Sequence, residues 1–177
     1  MQRYITTALI IFAAATSAWA QKTTTYSELI VIPHNSVAVN LGGLALDFVN
    51  LSYFHSLGES HGIGAYLGYL YHPVGSEQIK GYGYGISYRY YPAAKSLARF
   101  YYSPSIGIQQ IGLSDGDLTT GVFVSGMMGW QWYVSQHFGV GLGIGARVIF
   151  GNGDDRPVLK DAFGTSPSLT LDLGYGW

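Results

Sequence analysis

Three charged side chains stand in stretches otherwise built mainly from apolar residues and glycine: Arg89 in GISYRYY, Arg147 in GLGIGARVIF and Asp172 in SLTLDLGYGW. A charge in such surroundings needs a partner, because a dry, unpaired charge is very costly. If the last two stretches are neighbouring antiparallel strands, Arg147 and Asp172 come to similar height. An internal ion pair is then expected, with Arg89 a second candidate partner. Such a pair is either a structural network that satisfies buried charge, the plainer reading, or a gate for protons or a ligand. The other chemistry open to these residue types is acid–base or nucleophilic. His72 and Glu77 lie close together, but His34, His55, His61 and His137 are scattered, and no Ser/His pair has the spacing of a catalytic nucleophile and its base. The histidines read as anchors at strand ends. Asp154, Asp155 and Asp161 lack the ligand spacing of a calcium loop and read as part of a solvated loop. With no cysteine, disulfides, thiolate metal sites and a cysteine nucleophile are excluded. No enzymatic activity, metal or cofactor is expected.

Strands have to hold these residues. In Ser168–Trp177, Leu169, Leu171, Leu173, Tyr175 and Trp177 alternate with Ser168, Thr170, Asp172, Gly174 and Gly176, so one face is apolar and the other polar or bare. From Phe138 to Phe150, seven apolar residues alternate with four glycines and Arg147, a period of two that excludes helix. Tyr82, Tyr84, Ile86, Tyr88 and Tyr90 oppose Gly81, Gly83, Gly85, Ser87 and Arg89. Val122 to Trp132 ends its apolar face in Trp130 and Trp132. Ile63–Tyr71 and Phe100–Ile108 alternate likewise, although Pro104 lacks an N–H and predicts a local irregularity. Across residues 28–57 the phase slips; two strands are placed there, with Gly42-Gly43 as a tight turn or a bulge. Turns or loops are expected at Leu57–Ser60, Pro73–Gln78, Pro92–Leu97, Ser114–Asp117 and Val134–His137. The longest is Gly151–Pro167. The face opposite the apolar one carries Tyr66, Leu70, Ser87, Arg89, Tyr101, Ser103, Ser105, Gln109, Phe123, Ser125, Met127, Gln131, Arg147, Thr170 and Asp172.

Composition says what the apolar face meets. Only 11% of the 177 residues are charged and 15% are aromatic, against roughly 25% charged in an ordinary soluble domain. Residues 1–20 combine Arg3, an apolar run centred on Ala8–Ala15 and Ala18-Trp19-Ala20, which is the pattern of a secretory signal peptide cleaved after Ala20. Its removal leaves eight cations against ten acids, a net charge of −2 that gives no reason to expect nucleic acid. Beyond it no apolar run reaches the roughly 18 residues of a membrane helix. Residues 21–35 read as a periplasmic lead-in and 36–177 as the folded domain.

The expected fold is all-β: an antiparallel, up-and-down transmembrane β-barrel of about eight strands, even in number because both chain ends lie on one side. The pattern resembles the small eight-stranded outer-membrane barrels typified by the OmpA transmembrane domain, OmpX and OmpW. NLSYFHSLGESHGIGAYLGYLY and GYGYGISYRYYP are similar to the uncharacterised small barrels of Bacteroidota-type genomes. The resemblance covers most of the mature chain as architecture, without a motif tying it to one member. It implies residence in the bacterial outer membrane, contact with its lipids, assembly by the barrel-assembly machinery and a monomeric state. Tyr82, Tyr84, Tyr88, Tyr90, Trp130, Trp132, Tyr175 and Trp177 become an aromatic girdle at the headgroup levels. Thr170, Tyr175 and Trp177 fit the terminal assembly signal of such proteins, with Asp172 where glycine is usual. An eight-stranded lumen is about the size its side chains fill. The expected role is therefore structural or envelope-associated; a carrier or narrow channel for small hydrophobic solutes is the alternative, and a lipid-modifying enzyme the third.

Overall fold

A segment whose every second side chain is apolar satisfies its backbone by pairing sideways with others like it. The computed structural model describes residues 32–44, 48–74, 77–93, 96–113, 118–151 and 164–177, and eight such segments pair within it. They are β1 (Asn35–Asn40), β2 (Phe48–Ser56), β3 (His61–Val74), β4 (Glu77–Tyr90), β5 (Arg99–Leu113), β6 (Thr119–Tyr133), β7 (Phe138–Phe150) and β8 (Gly164–Gly176). Each is antiparallel to the next, and β8 pairs back onto β1 to close the barrel. Connections 57–60 and 134–137 and the described residues 91–93 and 96–98 lie at the end where His34 and Trp177 meet, the termini end. There His34 N and Asn35 N both donate to Trp177 O, at 3.0 and 2.9 Å.

Several turns differ from expectation. Gly42-Gly43 is neither a hairpin turn nor a bulge: it lies in a helical turn, Leu41–Leu44, where Gly43 N donates to Asn40 Oδ1 at 3.1 Å. Pro73, Val74, Glu77 and Gln78 belong to paired strands, so only 75–76 remain between β3 and β4. β8 begins at Gly164, inside the stretch expected to be loop, and Pro167 pairs with Ala146. The irregularity expected at Pro104 is present: the β4–β5 ladder stops at Ser87↔Ser105 and resumes in the same register at Tyr90↔Tyr102. The signal peptide and most of the lead-in lie outside the described residues, as do Ser114–Asp117 and the acids Asp154, Asp155 and Asp161.

The apolar faces point outward as expected. Leu67, Ile86, Ile106, Val124, Ile144 and Leu169 are all 47–67% exposed. From Tyr82 to Tyr90 a strand covers eight residue steps, which at about 3.4 Å each and a tilt of about 40° rises roughly 21 Å, near the apolar height of a membrane barrel.

The inner face is packed by aromatic rings laid over glycines of neighbouring strands. Phe54 covers Gly64, Phe123 covers Gly107, Tyr101 covers Gly129 and Phe48 covers Gly68, each so closely that a Cβ on the glycine meets the ring. Glycine in these strands makes room for neighbours' rings, with Phe123 and Tyr101 almost wholly buried as a result. A Gly107→Ala change places Cβ against Tyr84 O and Phe123 Cζ; overpacking of this kind should destabilise by about 1–3 kcal/mol in urea unfolding of the detergent-folded barrel. Gly126→Ala, with nothing within 4 Å, should stay within about 0.5 kcal/mol of the parent. Equal midpoints for the two variants would show that the rings do not need the bare glycines.

Candidate functional site

The termini end of the lumen is closed by its own side chains. Phe54, Tyr91, Leu97 and Tyr101 form a buried apolar cluster with Ile32 packed against it. Three hydrogen bonds hold Tyr91 and Ser96 at this end: Tyr91 N to Ser60 O at 2.8 Å, Ser96 N to Glu59 O at 2.7 Å, and Ser96 Oγ to Ser56 Oγ at 2.6 Å. Leu97 adopts the left-handed conformation, φ 62°, at about 1–2 kcal/mol. Full burial of its side chain returns roughly 1.5–3 kcal/mol.

Arg89 rests on this plug. Its guanidinium lies 3.5 Å from the Phe54 ring centroid and 4.2 Å from that of Tyr101, and Nη1 donates to Gln131 Oε1 at 3.1 Å. A planar cation between two rings, with a side-chain acceptor at its edge, is a geometry that suits arginine. Asp172 and Arg89 share the walls of a void of about 10 Å³, the size of one water molecule.

The expected Arg147–Asp172 ion pair is corrected by the strand register. Arg147 stands opposite Ser166, whereas Asp172 stands opposite Gly141. Six positions separate them along the strands, about 20 Å at 3.4 Å per residue. The acid therefore neighbours Arg89. Arg147 instead donates from Nη1 to Gln109 Oε1 at 3.3 Å and sits 4.6 Å from the centroid of Phe123. Beside it the hydroxyls of Ser105 and Ser125 are hydrogen-bonded to each other, and Tyr66 packs against Phe123 with centroids 5.8 Å apart. The two glutamines were readable as inward-facing, but nothing in their spacing marked them as the arginines' partners.

Above the plug the lumen is not filled, contrary to the size expected from strand number. A cavity of about 310 Å³ is lined by residues from every strand, among them Arg147, Ser105, Ser125, Tyr66, Ser168 and Thr170. Among the described residues, polar atoms buried without hydrogen-bond partners concentrate on its walls: Ser87 Oγ, Arg89 Nε and Arg147 Nε, with Tyr66 Oη and Thr170 Oγ1, which lie near Ser105 and Tyr101 without reaching hydrogen-bond geometry.

The remaining sequence candidates lie on the outside or at the ends. Tyr88, Tyr90, Trp130, Trp132, Tyr175 and Trp177 ring the termini end; Tyr82 pairs with Tyr69 toward the far end at 5.2 Å, and Tyr84 lies between. Of the terminal-signal residues, Tyr175 and Trp177 are outward and exposed, while Thr170 faces the cavity. His61 contacts Tyr88 Oη, His55 Nδ1 lies 2.8 Å from Asn35 Oδ1, and His137 Nδ1 lies 2.8 Å from Gly176 O, all at strand ends. Among the described residues no group of three or more His, Asp or Glu could hold a metal ion.

The chain is therefore a closed eight-stranded antiparallel β-barrel with a plugged end and a donor-rich lumen. Compared with protein-family models, curated proteins and solved structures, it finds no match. If the two rings hold Arg89 as a planar cation, Arg89→Lys should lower stability by about 1–2 kcal/mol while leaving the barrel folded. Urea midpoints in detergent read this directly, and an unchanged midpoint would deny the rings that role.

Proposed function

We propose that this chain is an integral barrel of the bacterial outer membrane, exported by residues 1–20, assembled by the barrel machinery and inserted as a monomer with its termini end in the periplasm. One observation carries the reading. The outward positions of β2 to β8 form a belt of apolar and aromatic side chains, including Leu51, Leu67, Ile86, Ile106, Val124, Ile144 and Leu171, exposed around the barrel. Water disfavours such a belt and lipid tails do not. Aromatic rings crowd one end of it, where Phe100, Trp130 and Trp132 lie together and Tyr53, Tyr175 and Trp177 form a second group, as expected at a headgroup level.

Within that reading the barrel serves the envelope as a structural element. The cavity of about 310 Å³ favours a second role, holding a small hydrophobic or amphiphilic solute, since it falls at the low end of ligand-site volumes. The Tyr91–Leu97 plug argues for a holder or carrier over a continuous channel.

Cell fractionation with gels of boiled and unboiled samples tests insertion. The protein should enter the outer-membrane fraction and migrate differently before and after heating. Recovery from the soluble periplasmic fraction without a heat shift would refute it. In planar bilayers the folded barrel should give no stepwise ion current, and regular unitary steps would show that the plug does not seal.

A further inference from the structure

Among the described residues the wall of the barrel is incomplete on one side. β1 ends at Asn40, which pairs with Asp172, so β8 from Gly164 to Leu171 has no strand partner on that side among the described residues. The helical turn Leu41–Leu44 follows β1, and the side chain of Asn40 substitutes for a strand: its Oδ1 accepts from Leu171 N at 3.2 Å. Backbone N–H groups of alternate residues in a strand point to the same edge, so position 167 aims at the gap, and the residue there is proline, which has no N–H to leave unpaired. The lumen cavity reaches this seam, because its walls include Pro167 and Leu169, whose parity is that of β8's outward face, together with inward-facing Ser166 and Ser168.

Among the described residues the charges in the cavity do not balance: its charged lining residues are Arg89, Arg147 and Asp172. Asp172 and Arg89 share the small void at the floor, which leaves Arg147, opposite Ser166 and so one strand in from the seam, without a carboxylate among the cavity's walls. Its Nε is buried and has no hydrogen-bond partner among the described residues. A space of about 310 Å³ is at the low end of ligand-site volumes and suits a headgroup with part of one chain.

Resting on the reading that lipid surrounds the barrel, we propose that the cavity binds the anionic headgroup of a single-chain amphiphile, entered sideways from the membrane. Arg147 supplies the counter-charge, the neighbouring hydroxyls Ser125, Ser105 and Tyr66 offer further donors, and the chain leaves along Pro167 and Leu169 into the lipid. A long-chain carboxylate meets these requirements with the fewest atoms.

Native mass spectrometry of the full-length, signal-processed protein released from nonionic detergent tests this with hexadecanoate as the probe. One hexadecanoate per barrel should be retained, and Arg147→Met should reduce retention roughly tenfold or more, as loss of a charge-assisted contact does. Arg147→Lys should keep an intermediate level. On the unmutated protein, hexadecanol should bind at least about tenfold more weakly for want of charge, and butyrate for want of a chain that reaches the seam. Equal binding of hexadecanol would overturn the role of Arg147, and equal binding of butyrate would overturn the sideways exit. Undiminished retention by Arg147→Met would sink the site. The heat shift on gels, run on each sample, separates these results from a failure of membrane insertion, which would remove the shift itself. A variant that does not fold leaves the ligand series on the parent protein to decide.

Discussion

In a hydrocarbon surrounding, such as the one proposed for this barrel, every backbone N–H and C=O must find a partner within the protein, at a penalty of several kcal/mol for each one that does not. Closure of the sheet by β8 on β1 is the arrangement that would meet that constraint, and most other features answer to it. Strands run in order around the barrel, each antiparallel to the next. The chain ends meet because Trp177 and Asn35 exchange backbone hydrogen bonds across the closing pair. Where closure is partial, above Asn40, a side-chain amide and a proline stand in for the missing strand.

The interior follows a second rule, that charge kept from water must be surrounded by groups that tolerate it. The two arginines solve this in the same way. Each lies against aromatic rings and donates to one glutamine, Arg89 to Gln131 and Arg147 to Gln109. They differ in what remains: Arg89 has Asp172 near and a plug beneath, while Arg147 faces open space. The same strands thus place two cations alike but give only one of them a carboxylate beside it among the described residues.

The alternation of Phe138–Phe150 and Gly81–Tyr90 made the architecture and the inward set legible before any coordinates. Register was not legible, and one residue shows why. Reading Pro167 as loop centres the β7–β8 connection too late, which brings Arg147 almost level with Asp172. With β8 starting at Gly164 the centre moves back and the two separate. Proline was a misleading signal because its usual exclusion from strands lapses where the N–H would face no partner. The plug was hidden for a different reason: Leu97 lies in a connection, and nothing in the string AAKSLAR says that a left-handed leucine swings its side chain under the barrel. The aromatic-over-glycine packing was half visible, as abundant glycine, but which ring covers which glycine depends on the register that sequence does not carry.

Pro167 has one more consequence. An unpaired strand edge is a template on which a second molecule can zip its own backbone, and two copies diffusing in one plane would meet edge to edge far more often than in solution. A ring nitrogen at the middle of that edge removes a donor from any such ladder. The seam can then stay open to small molecules without inviting the barrel to fuse with its twin.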